Sequence, residues 1–237
     1  GLLDQSRAIP NFNESWKLLT LMVGANDLCD GLPADSGGLF AACDGNVTSR
    51  LGLGDRYEQQ LRAVLTRLRD SLPRTLVQLV SLFSLASVPA ARAGHSWCDI
   101  AGVGRRLLTE CACLDSAVSG QGRPSKQQLG AMDASVAELN RRLHTLALEF
   151  NLQRPDFAVI EQTTSAGQRI PDASYLSGLD CFHPSAKAHA VTATALWNGL
   201  FERHRVPKPL NDTAVPTCPQ PDSVISVDNG APPRLVV

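Results

Sequence analysis

An α/β domain built on a parallel sheet is the fold this sequence predicts, and three features predict it. Apolar runs of strand length alternate with amphipathic segments of helical period. One of those segments keeps an apolar face from Leu129 to Phe150, and the connections between elements are rich in glycine and proline. Alternation of this kind puts helices on the faces of parallel strands.

Taken in order, the first element is a strand over 16–23, where Leu18-Leu19-Thr20-Leu21-Met22-Val23 carries no charge and stops at Gly24. A helix over 55–71 follows, with Tyr57, Leu61, Val64, Leu65 and Leu68 three and four apart. Residues 75–86, rich in Leu and Val, read as the second strand. Residues 87–122 read as a loop broken at Pro89, Gly94, Gly102, Gly104 and Gly120. Ser125 and Gln128 form a capping box that opens a helix through Met132, Val136, Leu139, Leu143 and Leu146. Pro155-Asp156 leads into a strand over 157–162, and a loop over 163–179 follows. Pro184, suited to a first helical turn, starts the last helix, which runs through Trp197 and Phe201. Residues 1–206 thus read as the body of the domain. Residues 207–237, with Pro216, Pro219, Pro232 and Pro233 and little periodicity, read as a tail or linker.

With 237 residues, 43% of them hydrophobic, the chain can bury a sizeable core, and a net charge of -1 recommends no nucleic-acid partner. No run of eighteen apolar residues occurs and no basic-then-apolar leader opens the chain at Gly1. The expectation is a soluble chain, with any signal peptide or anchor outside these residues. Seven cysteines and three sequons, at Asn13, Asn46 and Asn211, point to a glycosylated extracellular domain. Cys29 with Cys43, Cys98 with Cys111 or Cys113, and Cys181 with Cys218 are the expected disulfide pairs, although spacing does not fix connectivity. The odd cysteine either pairs outside these residues or stays free. His95, Cys98, Cys111 and Cys113 also form a loose zinc-ligand set, but paired Cys-x2-Cys knuckles are absent, so the disulfide reading is preferred and no metal is expected.

Two short motifs carry chemistry. Asp180-Cys181-Phe182-His183-Pro184 sets an acid three residues before a histidine, and a carboxylate bound to one imidazole nitrogen leaves the other free to take a proton. Alone, that spacing is more often a helix cap beside a surface imidazole. Gly24-Ala25-Asn26-Asp27 follows the first strand, where open α/β sheets build their sites, and an amide there can stabilise an oxyanion. Alone, a strand-end asparagine is a turn former. Asp27 is assigned to holding the loop, and His95, His144, His189 and His204 to packing or surface.

Together the motifs resemble the GDSL or SGNH family of esterases and lipases, and within it the membrane-associated phospholipase B type. The run from Trp16 to Cys29, the run from Asp180 to Ser185 and Leu196-Trp197-Asn198 are similar to that group. The resemblance implies a flavodoxin-like parallel sheet, with Asn26 in the oxyanion hole, His183 as base and Asp180 as its orienting acid. It implies hydrolysis of phospholipid and lysophospholipid esters at a membrane surface, with no cofactor. The family's Gly-Asp-Ser-Leu block, whose serine is the nucleophile, should precede the asparagine block and is not found there. Arg69-Asp70-Ser71-Leu72 comes after it and at a helix end, so Ser71 is read as a turn residue and no nucleophile is assigned. The chain is therefore expected to be the C-terminal part of a hydrolase domain with its N-terminal strands missing; the alternative is a non-catalytic lipid- or protein-binding remnant.

Overall fold

The computed structural model describes residues 10–29, 42–95, 98, 110, 111, 114, 124–151, 154–227 and 235–236. Three parallel strands, β1 (Lys17–Leu21), β2 (Thr75–Val80) and β3 (Phe157–Gln162), lie in that order. A short helix α1 (Ala25–Cys29) follows β1, α2 (Val47–Ser71) leads to β2, and α3 (Val88–Arg92) comes after it. Helix α4 (Lys126–Phe150) leads to β3, and α5 (Ala186–Gly199) closes the domain. This is the expected α/β arrangement of flavodoxin-like type.

Residues of β2 and β3 are buried throughout, as parallel strands covered on both faces should be. On one face Val77, Leu79, Phe157 and Val159 pack against α2 through Tyr57, Leu61 and Leu65, and against α4 through Leu139, Leu143 and Leu146. On the other, Leu76, Ala158 and Ile160 meet Leu200, Phe201 and Val227. Two glutamines sit within this core and bond each other: Gln162 Nε2 donates to Gln78 Oε1 at 2.5 Å, and Gln78 Nε2 donates to Thr20 Oγ1 at 3.1 Å. At the β1 edge, Trp16 is 46% and Leu18 47% exposed.

Several boundaries differ from expectation. Helix α2 starts eight residues before 55, because Asn46 Oδ1 accepts the Thr48 and Ser49 N–H groups and caps it. Strand β2 stops at Val80 because Asn140 then takes both backbone groups of Leu82, at 2.7 and 2.9 Å, in place of a neighbouring strand. Pro184 is not in the last helix: it bridges Leu176, and Ser185 caps α5 by accepting the Ala188 N–H.

Residues 207–227, expected as a tail, run back over the domain. Asn198 holds them, donating to Val215 O and accepting from Thr217 N–H, and Ser226 N–H donates to Leu200 O. Ile225–Ser226 then pairs with Leu235–Val236 as a small antiparallel ladder. Among the described residues, no helix is long and apolar enough to cross a membrane.

Candidate active site

Parallel strands point their C-terminal ends at one edge of the sheet, and β1 leaves that edge through Gly24. Gly24 has φ +113°, and a Cβ there would stand 3.0 Å from the Tyr57 ring, 3.2 Å from Leu139 and 3.2 Å from Leu82. Only glycine satisfies both demands. Tyr57, whose hydroxyl donates to Val23 O, is pushed to a higher pKa by burial and then by the Asp27 charge, so it stays a neutral donor. Asn26 follows, exposed, in the first turn of α1. Its carboxamide has no hydrogen-bond partner among the described residues.

His183 and Asp180 sit in a closed turn before α5. Ser177 N–H donates to His183 O at 2.7 Å and Ser185 N–H to Tyr175 O at 2.9 Å, which ties the two arms together. Inside it, Asp180 Oδ1 accepts the Phe182 and His183 N–H groups, while Oδ2 lies 2.9 Å from His183 Nδ1. Burial pushes the Asp180 carboxyl up. Hydrogen bonds from Phe182 N–H, the His183 ring and His183 N–H, with the imidazole's charge, outweigh that and hold it below the usual carboxylate range. An ionised carboxylate only accepts, so Nδ1 carries the proton and Nε2 is left as the basic nitrogen. Nε2 meets no partner among the described residues, and the side chain is 55% exposed.

Met22, at the end of β1, and Phe182, beside His183, line one cavity, so the two motifs border a common space. No hydrogen bond joins Asn26 to His183 among the described residues, and none joins a serine hydroxyl to His183. Ser71 ends α2 near the N-terminal ends of the strands, where Lys17 N–H donates to Arg74 O, and so lies at the opposite edge from Asn26. At the C-terminal edge, Ser81, Ser84 and Ser165 hydroxyls are bound to Glu161, Asp133 and Ser81 O.

The disulfides correct the expected pairs. Cys29 bonds Cys111, not Cys43, and Cys98 bonds Cys181, not Cys111 or Cys113. Cys43 is disulfide-bonded as well, and Cys218, expected to pair with Cys181, is free and exposed. Cys113 lies outside the described residues. The loose zinc set is thereby dismantled, since Cys98 and Cys111 serve different bridges. Both bridges reach the motifs: Cys29 ends the helix that carries Asn26, and Cys181 adjoins Asp180. Asn13, Asn46 and Asn211 are exposed, and Asn46 doubles as the α2 cap. His144, read as a packing residue, is bonded through Nδ1 to the buried Glu161 at 2.6 Å. Nothing local marked that pair; only a charged residue inside the apolar run of β3 hinted at it.

Three relatives share the name Phospholipase B1, membrane-associated. The rat protein is 27% identical over 216 residues, which cover 85% of this chain and 13% of the rat protein. The human protein is 28% identical over 213 residues, with 85% and 13% covered. The mouse protein is 27% identical over 215 residues, with 85% and 12% covered. The chain thus spans about an eighth of the length of these relatives. No solved structure matches it. The family model described as GDSL-like Lipase/Acylhydrolase matches residues 2–196, and the chain belongs to that family.

Proposed function

We propose that this chain carries the base, its orienting acid and an oxyanion donor of a phospholipase B-like lipid esterase. His183 would take the proton of an attacking serine through Nε2, Asp180 would hold the imidazole in the required tautomer, and the Asn26 carboxamide would donate to the carbonyl oxygen as it gains charge. The substrates would be phospholipids and lysophospholipids, by analogy with the relatives' name. One observation carries the reading: the Asp180 carboxylate grips Nδ1 at 2.9 Å and leaves Nε2 without a partner among the described residues, while Phe182 and Pro184 on either side of His183 line a cavity that Met22, just past β1, also lines.

The serine is proposed to come from polypeptide outside these 237 residues, laid along β1. That strand's outer edge has no neighbour among the described residues, and the groove of about 510 Å³ beside it is walled by Trp16, Leu18 and Trp197. Three exposed sequons and the disulfides support an extracellular, glycosylated setting. A second reading, a lipid-binding remnant without catalysis, is favoured by one fact: no described serine is hydrogen-bonded to His183.

Lysophospholipid hydrolysis tests the two, comparing these 237 residues alone with a longer polypeptide that includes the preceding chain. The longer form should turn over, and His183→Ala should cost it about a thousandfold or more. Turnover that survives His183→Ala refutes the site. Rapid hydrolysis by the 237 residues alone, abolished by Ser71→Ala, refutes the assignment of the nucleophile.

A further inference from the structure

The cavity beside His183 has a volume of about 100 Å³. Phe182 and Pro184, the neighbours of His183 on either side, line it, and Met22 and Phe83 close it from the ends of β1 and β2. Among its polar lining groups, Ser165 Oγ donates to Ser81 O at 2.5 Å, Gln168, His189 and Thr192 are uncharged in their ordinary forms, and the permanent charge belongs to Arg169. It lines the same cavity, is exposed, and makes no hydrogen bond or ion pair among the described residues. No acidic residue is among those lining the cavity. Nearby Lys187 is already taken, resting 4.4 Å over the Tyr175 ring and 3.1 Å from Asp212.

We infer that this cavity binds one hydrocarbon chain of an anionic amphiphile, with Arg169 pairing its carboxylate or phosphate. The inference deepens the esterase reading by naming the ligand class, and rests on it for the link to catalysis. Size sets the number of chains. A dry cavity of about 150 Å³ holds a benzene molecule, so this one takes a few carbons of a single chain and not two chains side by side. Charge sets the head group: a guanidinium without an acidic partner, on a lining that holds no carboxylate, favours an anion, and its planar fork suits carboxylate and phosphate oxygens alike. Because Phe182 and Pro184 flank the base, the buried carbons are those nearest the ester.

Binding of eight-carbon probes to the 237-residue chain, measured by calorimetry below their micellar concentrations, tests this without any turnover. A failure here is thereby separated from a failure of the catalytic reading. Octanoate stands for a released acid and octyl phosphate for a phospholipid head; octanol and octyltrimethylammonium are the neutral and cationic controls. At least one anion should bind about tenfold tighter than both controls, and the tighter anion identifies the source. Arg169→Ala should erase that preference and leave octanol unchanged. Ala188→Phe or Thr192→Phe, two ways of filling the cavity, should weaken every probe at least fivefold, and whichever variant keeps the wild-type circular dichroism is the one read. Equal binding of anion and cation, an Arg169→Ala effect as large on octanol, or undiminished binding after the cavity is filled would each overturn the inference.

Discussion

Gly24→Ala should be among the most damaging single substitutions in the described chain, and its cost can be worked from geometry. At φ +113° an L-residue lies outside even the small left-handed region, which costs about 1–3 kcal/mol when the surroundings enforce it. The added methyl also meets the Tyr57 ring at 3.0 Å and two leucine methyls at 3.2 Å. Overpacking a filled core costs about 1–3 kcal/mol more. The sum is about 2–6 kcal/mol, a large share of the stability of a domain this size. Gly167 supplies the control: φ is +64° and an added Cβ would meet no atom within 4 Å, so Gly167→Ala should cost only about 1 kcal/mol. Urea unfolding of the two variants, followed by circular dichroism, reads the difference. If Gly24→Ala loses no more than Gly167→Ala, β1 is not seated against α2 and α4 as described, and the placement of Asn26 two residues on loses its basis.

Four further outcomes are expected. Replacing both Cys98 and Cys181 by serine should lower stability by up to about 4.6 kcal/mol, the loop-closure value for a sequence separation of 83, and unfolding titrations showing under about 1 kcal/mol would refute it. Arg142 binds Glu58, Asp55 and Glu138, each at 2.7 Å, with its side chain 17% exposed; a site between surface and core implies a loss of about 1–3 kcal/mol for Arg142→Ala, read by the same titrations. The Arg142 hydrogen bond lowers the Glu58 pKa, and the Arg141 hydrogen bond, followed by that of Arg142, lowers that of Glu138. Their contribution is therefore complete above the ordinary glutamate pKa and lost as pH falls through the depressed folded values, so Arg142→Ala should flatten the acid limb of a stability profile. Asp180→Asn should reduce the Nδ1–H share of neutral His183, measured by imidazole nitrogen NMR; an unchanged tautomer would separate Asp180 from the orienting role.

What the sequence reveals here is what neighbours along the chain decide. Helix α4 is legible from Ser125 to Phe150 because its capping box and its three-and-four spacing are local, and β3 is legible because a proline-aspartate turn fixes its entry. The end of β2 is not, since Leu82 and Leu85 continue the apolar run while Asn140, 58 residues away, takes the backbone groups that would have extended the ladder. Residues 207–227 lack periodicity because single side chains such as Asn198 hold them, with no repeating face to read. The same limit governs the site. Asp180 and His183 are three apart and their pairing could be read directly, whereas the cysteine partners are more than 80 residues apart and could not.

The long-range bond and the short-range pair are nonetheless one device. Cys181 has φ +52°, a conformation uncommon for a residue with a Cβ, and it persists only where surrounding bonds enforce it. The enforcing bonds are the bridge to Cys98, the Cys181 N–H donation to Ser177 O and the Ser177 N–H donation to His183 O. With the chain folded back at Cys181, one oxygen of Asp180 reaches two N–H groups and the other reaches the ring. An exposed ion pair alone is worth about 0–1 kcal/mol, too little to hold an imidazole that is 55% exposed in one orientation. Backbone closure therefore sets where the two side chains stand, and within that frame the carboxylate fixes the ring. Reduction of the Cys98 bridge would remove one of the three bonds that enforce the turn and leave the two hydrogen bonds. The chemistry proposed for His183 should therefore weaken under reduction for a geometric reason that owes nothing to the sequons.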